Sequence, residues 1–369
     1  MPADILGQVY ERFLGKAIQV QPDRSVVVEE KPEVRKAGGV YYTPTYIVDY
    51  IVRSTVGKLV DGKAPDDISS MRVLDPACGS GSFLIRAYQY LLDWHLDWYL
   101  NNDPPKHIKC KPPKLYQDSN DRWHLAIHER KRILLNNIYG VDIDSQAVEV
   151  SKLSLLLKVL EGENSQSMTR QLSLFKERAL PDLGDNIKCG NSLIGRDFYS
   201  GQQSLLTFDE KMKVNAFDWE IELADIMKAG GFDAVIGNPP YVRQETLGAT
   251  FKEYAKAKFA AFASTADLYV YFIEKAHQLM KIGGLFGFVC SNKFMRANYG
   301  GSVRAFLTQN SSICQLVDFG ELPVFQSAAT FPVVILTVNQ KPEKQKFIFG
   351  SNALILLTDY VEEYHGMVQ

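Results

Sequence analysis

Apolar positions along this chain fall into short continuous runs that alternate with longer stretches of helical spacing. Over residues 71–92, "MRVLDPACGSGSFLIRAYQYLL" reads as a buried strand, a glycine-rich turn and a helix. "NIYGVDIDSQAVEVSKLSLLLKVL" repeats that order. "NIKCGNSLIG", "FDAVIGNPPY" and "GGLFGFVCSNKF" hold further short strands, and "STADLYVYFIEKAHQLMKIGG" has the spacing of a helix ended by its glycine pair. "ICQLVDFGELPVFQSAATFPVVILTVNQ" closes the pattern as two strands around a loop. Strands alternating with helices imply right-handed βαβ units, hence an α/β fold on a doubly wound, mostly parallel sheet.

Upstream, Ile5, Leu6, Val9, Phe13 and Leu14 have helical spacing, and a charged stretch follows to about Lys36. Thr43 then reads as a helix N-cap, with Pro44 at the first helical position. Residues 101–130, rich in Pro, Lys and Asn, and the polar residues 161–186 read as surface insertions.

Composition narrows the class without naming it. The 369 residues are 46% hydrophobic and 23% charged, enough for a large soluble core. A net charge of −2 gives no global field for a polyanion, so nucleic-acid binding would need a local basic surface. Five scattered cysteines with no CxxC spacing argue against zinc and against a disulfide framework, and fit a reducing cytoplasm. No apolar run reaches the length of a membrane span, and no leader is expected at the N-terminus.

In "VLDPACGSGSF" an acidic residue ends the strand and Gly79 and Gly81 follow. Small residues let the backbone turn tightly and approach a ligand. The third glycine of a dinucleotide fingerprint and the Gly-Lys-Ser/Thr of a P-loop are both missing. Two readings stand for the turn: a structural βα connection, or a seat for a ligand with an amino-acid tail. S-adenosylmethionine (AdoMet) is such a ligand, with Asp75 receiving its ammonium and loop amides, that of Ala77 among them, its carboxylate. The second strand favours the latter reading, because Asp142 stands where a carboxylate accepts both ribose hydroxyls of an adenosine. Ile143 would offer an apolar face to adenine, Asp144 caps the next helix, and Asn191 and Ser192 at the third strand end would meet the adenine edge.

The order "YYTP", "DPACGSG", "VDID", "GNSL", "NPPY" resembles the γ-class amino-methyltransferases of DNA that make N6-methyladenine. With "ILGQVYERFLG" and "GGVYYTP" in front, residues 1–340 are similar to the methylation module of type IIG restriction–modification enzymes. The resemblance implies a class I AdoMet-dependent methyltransferase fold, Rossmann-like, with a seven-stranded sheet. It divides the chain into a helix and charged linker (1–36), a catalytic domain (37–345), and a remnant (346–369) leading toward a target-recognition domain. It implies AdoMet as cofactor and no metal.

Chemistry explains the tetrapeptide. An exocyclic amine on an aromatic base is a poor nucleophile, because its lone pair is delocalised into the ring. Acceptors on its two hydrogens, the Asn238 side-chain oxygen and the Pro239 carbonyl, would localise that pair. Asn238 does so without titrating, and Pro239 and Pro240 fix the backbone that aims the carbonyl. Tyr241 would stack on a base that has left its duplex. The family closes the base pocket with a second aromatic, here Phe325 rather than Phe331, which reads as core at the start of a strand. The resemblance also places Thr43 and Pro44 against the methionine end of the cofactor and Phe272 against its adenine.

Double-stranded DNA is the implied partner, and Arg243, Lys293 and Arg296 are the expected phosphate contacts. Lys252, Lys256, Lys258 and Arg304 lie near them in sequence. "PDRSVVVEEK" mimics a nuclease signature at cramped spacing and reads as a charged linker. About thirty residues after "VVILTVNQ" are fewer than a recognition domain needs, so sequence specificity is expected from a domain or subunit outside this chain. An N4-cytosine, RNA or protein-glutamine methyltransferase, or an inactive AdoMet-binding subunit, are the competing readings.

Overall fold

The computed structural model describes residues 16–20, 26–30, 43–118, 120–163, 180–200, 207, 211, 214–322, 324–325, 331–342 and 348–351. Its framework is one eight-stranded sheet whose faces are both covered. Two strands at the start, β1 (Lys16–Val20) and β2 (Val26–Glu30), pair with each other as an antiparallel hairpin. The helical spacing noted for residues 1–20 lies outside the described residues up to position 15. From Lys16 the chain is a strand, and the expected linker contains its partner.

Helix α1 (Thr45–Val52) buries Ile47, Val48, Ile51 and Val52 and runs on through a π turn at Arg53–Gly57. Its N-cap is Pro44, one residue later than expected, and the Thr43 hydroxyl is used elsewhere. Then follow β3 (Val73–Asp75) and α2 (Ser82–Asn101), a small hairpin of β4 (Leu115–Gln117) and β5 (Trp123–Leu125), α3 (Ile127–Asn137), β6 (Ile138–Asp142), α4 (Ser145–Leu160) and β7 (Ile187–Cys189). The second half contains β8 (Phe232–Gly237), α5 (Ala249–Lys258), α6 (Tyr269–Leu279), β9 (Met280–Ser291), α7 (Gly300–Asn310), β10 (Ser312–Asp318), β11 (Pro332–Val338) and β12 (Ile348–Ser351).

The strand order is β12-β10-β11-β9-β8-β3-β6-β7. Only the two pairings of β11, with β9 and β10, are antiparallel. The other five are parallel, as the alternating pattern predicts. The expected seven strands are all present, and β12 adds an eighth alongside β10.

Period-two alternation sorts each strand's side chains between two cores. Val73, Ala234 and Ile236 join α1, α2, α3 and α4 in one, whereas Leu74, Val235, Phe286 and Phe288 join α6 and α7 in the other.

Two expectations change here. The helix before β9 ends at Leu279, not at the glycine pair: Met280 already pairs with Phe232, and Gly283 and Gly284 lie inside the strand. The stretch 101–130 is no loose insertion. A short helix at Pro104–Lys109 brings His107 to 4.5 Å from the Tyr99 ring, and Leu115 and Leu125 of the hairpin are buried in the first core. Of residues 161–186, positions 164–179 lie outside the described residues.

Candidate active site

Parallel pairing brings the carboxyl ends of β3, β6, β7, β8 and β9 to one edge of the sheet. There β3 and β8 are neighbours whose connections leave in opposite directions, to β6 and to β9, so a crevice opens between them. Asp75, Asp142, the turn after Cys189 and the tetrapeptide after Gly237 all lie at that edge.

The glycine loop is held from both sides. Gly79 (φ 52°) and Gly81 (φ 88°) are left-handed, a region that side chains disfavour. The Gly79 amide donates to Asp142 Oδ2 at 2.8 Å, and its carbonyl accepts from Ser151 Oγ at 2.7 Å. A Cβ built on Gly79 would meet nothing within 4 Å, so the loop presents bare backbone to the crevice, whereas one on Gly81 would lie 2.8 Å from Ser151 Oγ. Ser151 is fully buried on α4 and was not singled out in the sequence. Nothing in the local pattern distinguishes it from a helix-core serine.

Asp75 is 2% exposed and accepts from the Ala77 amide at 3.0 Å. Burial, reinforced by the Asp142 charge, pushes its carboxyl up to about 8, against the pull of that amide. Burial also raises Asp142, whose Oδ1 takes the Asp144 amide at 2.9 Å. A buried carboxyl of this kind suits a cationic partner, but the amide of Ala77, expected to meet an anionic group, donates to Asp75, and those of Cys78, Gly79 and Gly81 donate to Val141 O, Asp142 and Cys78 O.

Asp144 caps α4 through Gln146 N, as its position predicts, and Ile143 is 53% exposed beside Asp142. The two polar residues expected at an adenine edge have internal partners. Ser192 Oγ donates to the Pro76 carbonyl at 2.5 Å and ties this turn to the glycine loop. Asn191 Oδ1 accepts from Leu193 N, while its backbone amide donates to Asn215 O at 2.6 Å. Asn215, left-handed at φ 47°, is a second residue that the sequence did not flag. Phe272 is buried in the second core at 6% exposure.

At the end of β8 the chain crosses Asp75 so closely that a Cβ on Gly237 would lie 2.7 Å from its Oδ1. Asn238 follows, its Nδ2 donating to Thr43 Oγ1 at 3.0 Å. Its Oδ1 is the buried acceptor end. Pro239 is buried and Pro240 half-buried. The Tyr241 hydroxyl donates to Val289 O at 3.3 Å, and its ring meets Tyr269 and Phe325 edge to face, with centroids 6.2 and 6.3 Å away.

Phe325 is 5% exposed and packs on Tyr241 rather than standing off as an opposing plate. Phe331, expected in the core, is 41% exposed just before β11, its carbonyl held by Asn292 N. Residues 326–330 between the two rings lie outside the described residues.

Arg243, Lys293 and Arg296 are exposed at this end of the sheet. Other nearby cations are used internally: Arg304 donates to Phe294 O and Ala297 O, Lys252 to Gln244, and Lys258 pairs with Asp197. Among the described residues no three His, Cys, Asp or Glu side chains converge as a metal site, and no helix is long and apolar enough to cross a membrane.

Similarity to known proteins identifies the family. Residues 136–325, which span the second motif strand, the tetrapeptide and Phe325, match the family described as Eco57I restriction-modification methylase. The chain belongs to the Eco57I restriction-modification methylase family. Residues 2–179 also match the family described as N-6 DNA Methylase.

It is 31% identical to the type II restriction enzyme and methyltransferase RM.Eco57I of Escherichia coli, over 94% of this chain and 32% of that protein. It is 27% identical to the type II methyltransferase M.BstVI of Geobacillus stearothermophilus, over 82% of this chain and 42% of the relative. The Eco57I-family chain thus spans less than half the length of either relative. Among solved structures, a nuclease-deletion mutant of the type ISP enzyme LlaGI with a DNA substrate mimic shares its fold at TM-score 0.56 and 16% identity, covering 87% of this chain and 25% of that one. The type IIL enzyme MmeI in complex with DNA does so at 0.56 and 15%, covering 95% and 41%.

Proposed function

We propose that this chain is the module that transfers the methyl group of AdoMet to the N6 amino group of an adenine flipped out of DNA. The observation that carries the reading is the close approach of Gly237, just ahead of Asn238-Pro-Pro-Tyr, to Asp75, one strand from the glycine loop. The match to families described as N-6 DNA Methylase and Eco57I restriction-modification methylase supports it.

Bound AdoMet supplies a methyl group on a sulfonium, electrophilic without further activation. The chain's own residues do the rest. Asp75 receives the ammonium, the glycine loop packs along the methionine tail, Asp142 takes ribose hydroxyls, and Ile143 covers the adenine. Thr43 and Pro44 close the methionine end. Asn238 Oδ1 and the Pro239 carbonyl accept the two N6 hydrogens and localise the nitrogen lone pair; the proton leaves after transfer, because neither acceptor is a base. Tyr241 gives the base a stacking face worth roughly 1–3 kcal/mol against the cost of unstacking. Arg243, Lys293 and Arg296 meet DNA phosphates, and a recognition domain or specificity subunit reads the sequence.

Substitution Asn238→Ala in the complete protein tests this. Transfer of labelled methyl groups to plasmid DNA free of N6-methyladenine should fall about 100- to 1,000-fold, the usual cost of one preorganised partner. AdoMet binding by calorimetry should change little. Retained transfer refutes the role of Asn238, and activity of the wild-type protein confined to RNA or to a peptide glutamine refutes the substrate.

A further inference from the structure

We propose that Thr43 is a positioning residue that decides which end of the Asn238 amide faces the substrate; this rests on the reading of Asn238 given above. A primary amide has two nearly isosteric ends with opposite hydrogen-bonding character. Only the oxygen end accepts from an amino group. Turned over, the same side chain points two N–H donors at the substrate's own N–H groups and opposes it. Nothing in asparagine itself selects the productive end, so a neighbour must.

The backbone leaves little else to adjust. Gly237 is pinned by its close approach to Asp75, and Pro239 fixes φ on the other side. What remains to be set is the terminal torsion of Asn238, a broad and roughly two-fold rotation. Thr43 Oγ1 takes Nδ2 at 3.0 Å, which turns Oδ1 the other way. Thr43 is itself fixed: it is 2% exposed and directly precedes Pro44, whose carbonyl accepts from Ile47 N and Val48 N in the first turn of α1. The contact spans 195 positions of sequence, so it joins the first helix of the domain to the reacting end of β8. A hydroxyl can also donate, so the choice of end rests on Oγ1 accepting from Nδ2, as it does here.

Thr43→Val keeps the shape and deletes the acceptor, whereas Thr43→Ser keeps the acceptor and deletes the methyl group. Each is measured in the complete protein with AdoMet and the same plasmid DNA. The Thr43→Val kcat should fall about 10- to 100-fold, as expected when a reacting group loses one orienting bond. KM for DNA and melting temperature should stay near wild type, calorimetric AdoMet affinity should fall far less than kcat, and Thr43→Ser should restore most of kcat. Should Thr43→Val fold poorly, Thr43→Ala deletes the same acceptor and carries the same expectation.

A normal kcat in the acceptor-less variant overturns the proposal. So does a loss confined to AdoMet affinity, which makes Thr43 a cofactor contact only, or failure of serine to rescue. Asn238→Ala in the same assay separates the two readings: if it retains transfer, the proposed function fails with the inference, and if it alone is inactive, only the role of Thr43 falls.

Discussion

In the proposed function Asp75 does two things at once, since the carboxyl assigned to the ammonium also lies against Gly237 just ahead of Asn238. With its carboxyl pushed up to about 8, it is largely protonated at neutral pH before a cation arrives. An ammonium group favours the charged form, so AdoMet binding near pH 7 should release up to about one proton from this site. Affinity should rise from about pH 6 to pH 8 and then level, because above the raised value no proton remains to be displaced. Calorimetry in buffers of different ionisation enthalpy would read the released proton, and Asp75→Asn should abolish this contribution. A proton count unchanged in Asp75→Asn would show that the carboxyl is not the ammonium's partner.

Between elements, His277 makes a comparable commitment. It is buried on α6, where Nδ1 donates to Ile273 O and Nε2 accepts from the Thr337 hydroxyl, and so joins that helix to β11. Burial lowers it to about 4, below the ordinary histidine value of 6.5. The unfolded chain therefore takes up a proton that the folded chain refuses. This share of stability is intact above about pH 6.5 and is lost as pH falls toward 4, by about 2 kcal/mol at pH 5. Urea unfolding at pH 7.5 and pH 5 should show His277→Gln losing less stability between the two than wild type; equal losses would refute it.

The same elements show what the sequence could reveal. The strand–turn–helix units and the glycine loop were legible because they are local: a strand end, small residues and a helix start lie within a dozen positions. Long-range bonds were not. Thr43 looked like an N-cap, Ser192 like a ligand contact, and Ser151 like nothing in particular, since their partners Asn238, Pro76 and Gly79 lie 195, 116 and 72 positions away. Gly283 and Gly284 looked like a helix stop, yet pairing across to β8 began the strand at Met280. Tertiary pairing outweighed local propensity there.

For the whole molecule, the near-neutral balance means that any hold on DNA is a matter of placement. Arg243, Lys293 and Arg296 are exposed at the cleft end, while Arg304 and Lys258 are tied to internal partners. Replacing the first three by alanine should weaken DNA binding with little regard to sequence and lower the slope of log K against log salt by about 0.9 for each phosphate no longer neutralised. Replacing Arg304 should lower melting temperature instead. An unchanged slope in the triple variant would place the DNA elsewhere.

Helix α2 leads away from this cleft, starting at the glycine loop and carrying the β4–β5 hairpin near its far end, where Lys114 lies 5.2 Å from the Tyr99 ring. At 1.5 Å per residue, Tyr99 is about 25 Å from the loop. A dye or affinity handle grafted onto the hairpin turn, which Asp118 braces through Arg122 and His124, would therefore report on the protein from a distance without obstructing the cleft.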